Sequence, residues 1–165
     1  MKSPHFLLAA PNSQRLQQNL SHLLDAAALA TLQQEFYRNI AGLYALGQDH
    51  LTFAVGLAKG HWRQRISRYY YAAYNIGRSV RLSHDGQYHT DVTDHKRVDS
   101  LPDGFPNKAK YTTQFAVLRE DRNLCDYDHT VDLADLALTP DDVESLVTDF
   151  AADAKVFLAT KGITV

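Results

Sequence analysis

Apolar residues along this chain recur at intervals of three and four, the spacing of a helix that turns every ~3.6 residues. Pro11-Asn12-Ser13 reads as a helix start, with Leu16, Leu20, Leu23 and Leu24 following at helical spacing. A second helical stretch runs from about Ala26 to Lys59, weakened by Gly42, Gly47 and Gly56, with a break expected near Gly47. Gly60 then punctuates the chain. From His61 to Leu82 the stripe Trp62, Ile66, Tyr69, Ala73, Ile76 and Val80 predicts a third helix, ended by Ser83-His84-Asp85-Gly86. Residues 84–107 are polar and hold Pro102, Gly104 and Pro106, which reads as a loop with one short helix near Val92 to Val98.

After Pro106 neither Gly nor Pro occurs until Pro140. Tyr111, Phe115, Leu118, Arg122, Cys125 and His129 fall on one face of a single predicted helix. The last helix has the clearest start. Thr139 is its N-cap, Pro140 suits the first turn, and Asp141 and Asp142 favour its positive end. Val143, Leu146, Val147, Phe150, Ala154, Phe157 and Leu158 form its apolar face, and Gly162 ends it. The expected fold is all-α: an antiparallel four-helix bundle from the helices near 40–59, 61–82, 107–128 and 140–160. Residues 1–39 are expected to be an N-terminal helical extension packed on a domain spanning 40–165.

A chain of 165 residues is long enough for one domain with a real core. Its net charge of −2 argues against a polyanion binder as a whole. The charge is unevenly spread, however. No acid occurs between His61 and His84, where Arg63, Arg65, Arg68, Arg78 and Arg81 lie, whereas eleven of the nineteen acids lie between Glu120 and Asp153. A local basic surface is therefore expected. Cys125 is the only cysteine, so neither an internal disulfide nor a cysteine-based zinc site can form, which fits a reducing compartment. The run Phe6-Leu7-Leu8-Ala9-Ala10 is too short for a signal-peptide core or a membrane span, so the expected location is cytoplasmic.

The candidate chemistry lies in Arg122-Asn123-Leu124-Cys125-Asp126-Tyr127-Asp128-His129. A permanent cation and a titratable imidazole on one helix face can stabilise a phosphate and move a proton. The plainer reading is that Arg122 pairs with Asp126 one turn later. Tyr69, Tyr70, Tyr71 and Tyr74 fit either stacking on bases or packing in the core, the latter favoured for Tyr70 and Tyr74. Arg68, Asn75 and Arg78 share a polar face that serves either as RNA-backbone contacts or as a solvated surface. His84, His89 and His95, with Asp85, Asp91 and Asp94, match no standard metal spacing, and no metal or cofactor is expected.

Three motifs, in order, resemble those of HEPN-domain proteins over roughly residues 40–160. Ser67-Arg68-Tyr69-Tyr70-Tyr71-Ala72 is similar to their Ser-Arg-x-Tyr-Tyr-Ala pattern, and Arg122-Asn123-Leu124-Cys125-Asp126-Tyr127 to their Arg-x-x-x-Asp-Tyr helix. The Thr139-Pro140-Asp141-Asp142 helix resembles the closing helix of the same branch. The resemblance implies a four-helix bundle that dimerises and, in active members, a metal-independent endoribonuclease. It implies catalytic roles for Arg122, Asn123 and His129, RNA contacts at Arg68, Asn75, Arg78 and Tyr127, and a toxin or defence role with a nucleotidyltransferase antitoxin of the MNT type as partner. Tyr127 stands where the best-known toxins have their His, and His129 where they have a Tyr. The resemblance thus also implies an alternative, a non-catalytic module that binds a nucleotide, RNA or a protein partner.

Overall fold

The computed structural model describes residues 12–86 and 97–165. Five α-helices occur among the described residues: α1 (Ser13–Leu20), α2 (Ala26–Gly56), α3 (Trp62–Asp85), α4 (Lys108–Tyr127) and α5 (Pro140–Ala159). A 3-10 turn at Leu133–Asp135 precedes α5, and no strand occurs among the described residues. The fold is all-α, as the periodicity predicts. His89, Asp91, Asp94 and His95, and most of the short helix expected near 92–98, lie outside the described residues.

The middle of the bundle is α3. Ile66, Tyr69, Ala73, Ile76 and Val80 are fully buried, and α2, α4 and α5 all pack against this helix. Together α2 and α3 form an antiparallel hairpin joined by residues 57–61. The apolar face of α5 is buried along its whole length, and Phe150 packs against Phe105, Tyr111 and Phe115 at ring distances of 5.4, 5.0 and 4.7 Å. Its start matches the expectation from sequence, because Thr139 Oγ1 accepts a 3.1 Å hydrogen bond from the Asp142 amide. Ile40 is the first buried residue of α2, and the part of that helix before it lies on the surface of the bundle.

Two expectations about helix boundaries are corrected. First, α2 does not break near Gly47. A Cβ at Gly47 would stand 2.5 Å from Ile76 Cγ1 and 2.9 Å from the Ala72 carbonyl oxygen. The glycine marks the closest approach of two helices rather than the end of one. Second, the long helix expected to carry His129 stops at Tyr127, and Asp128 is extended. Two sets of hydrogen bonds end it, one local and one from α3. The Asp128 carboxylate accepts from the Thr130 amide at 2.8 Å and from its hydroxyl at 2.7 Å. The Arg63 guanidinium donates to the carbonyls of Cys125 (3.1 Å), Asp128 (2.6 Å) and Val131 (2.5 Å), gathering the helix end and the chain beyond it.

The basic stretch of the sequence is largely turned inward, which corrects the expected basic surface. Arg63 holds the end of α4. Arg65 is buried and pairs with Glu144 (2.8 Å) and Asp141 (3.2 Å) at the start of α5. Arg81, also buried, donates to the carbonyls of Arg97 and Ser100. No helix of the described residues is long and apolar enough to cross a membrane.

Candidate functional site

Of the residues singled out from the sequence, Arg122, Asn123 and Tyr127 lie together in the C-terminal half of α4, where it packs against α3. Because Asp126 is one turn beyond Arg122, its Oδ2 meets Arg122 Nε at 2.8 Å. From α3, Tyr71 brings its hydroxyl to 2.5 Å from Arg122 Nη2, and Asn123 Oδ1 lies 3.3 Å from Nη1. The guanidinium carbon sits 5.3, 5.2 and 5.5 Å from the ring centres of Tyr70, Tyr71 and Tyr127, within the range of cation–π attraction. Only 13% of the Arg122 side chain is exposed. Burial opposes its charge, but Asp126, Tyr71 and Tyr127 outweigh that and hold its pKa above the usual arginine value. The result is a cation fixed in place. Its fork has five N–H donors, more than Asp126, Asn123 and Tyr71 use.

His129 is not part of this cluster. It lies beyond the end of α4, exposed, in the turn organised by Asp128 and Thr130. Tyr127 is 76% exposed and, with Glu120, Asn123, Leu124 and Asp128, lines an open depression of about 440 Å³ along one stripe of α4. Two carboxylates border that depression, which does not suit a phosphate backbone.

The candidate RNA contacts divide. Arg68 is exposed and stacks over Phe53 at 5.5 Å, itself 55% exposed. Arg78 is half-buried over the Tyr74 ring at 5.3 Å. Asn75 is buried, and its amide donates to the Tyr71 carbonyl one turn back, so it is not presented to a ligand. Tyr70 and Tyr74 are core residues, stacked on each other at 6.3 Å. Cys125 is buried, and burial pushes its thiol up to about 11, an unreactive group. Among the described residues no group of three or more His, Cys, Asp or Glu side chains could hold a metal ion.

Two participants escaped the sequence reading. Arg63 was one of several arginines in a basic stretch, and no sequence signal distinguishes it from them. His50 carried the same signal that drew attention to Arg122. It interrupts an apolar stripe, standing between Leu43, Leu46, Phe53 and Leu57 at spacings of three and four. Its imidazole packs 5.8 Å from the Tyr71 ring, the ring whose hydroxyl holds Arg122.

No family model, curated protein or solved structure matches this chain.

Proposed function

We propose that this protein is a HEPN-type RNA endonuclease that works without a metal, with Arg122 at the centre of its site. The observation that carries the reading is the fixing of one permanent cation by Asp126 and Tyr71 in the C-terminal half of α4. A guanidinium held in this way stabilises the extra negative charge of a phosphorane without reorganising. The ribose 2′-hydroxyl of the RNA supplies the nucleophile. Asn123 fixes the fork from its own helix, the exposed Arg68 supplies a cationic contact to the RNA backbone, and the exposed Tyr127 ring, which borders the acidic depression, supplies stacking on a base rather than a phosphate contact. A homodimer carries two such sites, and a toxin or defence role with an MNT-type antitoxin belongs to the same reading.

The test is incubation of the purified protein with a mixed RNA pool in EDTA. Fragments ending in 2′,3′-cyclic phosphate are expected, and Arg122→Ala should slow their appearance by about 100-fold or more while keeping the helical circular dichroism. A second reading, binding without cleavage, is favoured by the turn at Asp128, which takes His129 out of the helix. It expects intact RNA retained by the wild type and released by Arg122→Ala. Neither cleavage nor retention would remove both readings.

A further inference from the structure

The cluster around Arg122 holds an imidazole that the motif does not supply. We propose that His50, and not His129, takes the 2′-hydroxyl proton during RNA cleavage at this site. The proposal rests on the phosphodiester site described above.

Tyr71 is the shared element. The His50 imidazole lies 5.8 Å from its ring centre and the Arg122 guanidinium carbon 5.2 Å from it, so an imidazole and a fixed cation both lie against one side chain. His50 is half-buried on α2, whereas His129 is in an exposed turn past the end of α4. Several charged and titratable groups face His50. Asp49 is on its own helix, Arg68 and Tyr71 face it from α3, and Arg122 of α4 donates to the Tyr71 hydroxyl. Burial first, and the Arg68 charge second, lower its pKa against the smaller pull of Asp49. The ring is therefore neutral, and able to accept a proton, at pH 7.

The step balances without a co-reactant. A neutral ring nitrogen of His50 accepts the 2′-hydroxyl proton as the 2′ oxygen attacks phosphorus, with Arg122 offsetting the charge on the non-bridging oxygens. The bond from phosphorus to the 5′ oxygen breaks, and that oxygen takes a proton from water. The His50 proton returns to the hydroxide so formed. The products are a 2′,3′-cyclic phosphate and a 5′-hydroxyl end.

Cleavage rates of the wild type, His50→Gln, His50→Phe and His129→Ala, measured from about pH 5 to about pH 8, test this. The two His50 variants should lose roughly 100-fold or more in rate. They should bind a 2′-O-methyl oligonucleotide, which cannot be cleaved, as tightly as wild type, and His129→Ala should cleave normally. The wild-type rate should rise with pH through an inflection below the ordinary histidine value, and that inflection should vanish in the His50 variants. His50→Phe keeps a ring against Tyr71, so it separates loss of the nitrogen from loss of packing should His50→Gln melt early. Cleavage preserved in both His50 variants, or an inflection that disappears with His129 instead, overturns the inference and leaves the nuclease standing. No cleavage by the wild type removes the nuclease reading and this inference together.

Discussion

Arg63 shows how much of this molecule depends on single side chains whose roles are set by long-range contacts. Its fork satisfies carbonyls 62, 65 and 68 residues away in sequence, at the end of α4 and just beyond it. Hydrogen bonds from a charged donor contribute about 1.5–3 kcal/mol net, and losing them leaves helix-end carbonyls without partners. Arg63→Ala should therefore lower the unfolding free energy by about 2 kcal/mol in a urea titration. Hydrogen exchange should quicken first in the amides around 128–131. A substitution with no effect on either measurement would show that the turn holds without Arg63. Arg122 was legible as a residue of interest because a charge on an apolar stripe demands a partner, and Asp126 one turn on was a visible candidate. Tyr71 and Arg63 were not legible in these roles, since a one-dimensional pattern does not say which helices touch.

At the scale of the element, two glycines of α2 separate helix propensity from packing. Gly42 is exposed with nothing within 4 Å of where its Cβ would be, whereas Gly47 has Ile76 Cγ1 at 2.5 Å and the Ala72 carbonyl at 2.9 Å. Gly42→Ala gains helix propensity without a clash and should stabilise the protein by roughly 0.5–1 kcal/mol. Gly47→Ala gains the same propensity but must push α2 away from α3 along a buried contact. Overpacking of that kind costs about 1–3 kcal/mol, so the clash wins and the variant should melt earlier than wild type. Opposite shifts in melting temperature are the expected outcome; equal shifts would mean that α2 and α3 yield easily at their crossing. Both residues look alike in the sequence, and that is why a break was expected at the one that joins two helices. The same limit applies to the end of α4. Periodicity continued to His129, but Asp128 and Thr130 formed a tighter local pattern than the helix offered. Where cap chemistry and periodicity agreed, as from Thr139 through Leu158, the element was legible from end to end.

Across the whole molecule, ionic contacts bring the ends of helices together, and this gives stability a pH dependence with a definite sign. Asp141 is held below the usual carboxylate range by its bond to Arg65, and then by Lys59 at 3.3 Å. The unfolded chain therefore takes up a proton at Asp141 at higher pH than the folded one. The contribution is complete above the ordinary aspartate value of about 4 and is lost as pH falls through the lower folded value. His50 acts in the same direction in a different window, because its folded pKa is lowered by burial and by Arg68. Its contribution is present above about pH 6.5 and declines as pH falls through its folded value. Melting temperature should thus drop in two stages on acidification, the first below about pH 6.5 and the second below about pH 4. His50→Gln should remove the first stage alone, and Asp141→Asn should diminish the second. A His50→Gln profile that superimposes on wild type would show that the imidazole near Tyr71 titrates as freely as in the unfolded chain. That result would also put the inflection of the cleavage profile at the ordinary histidine value rather than below it, so the stability profile and the cleavage profile test one physical statement in two independent ways.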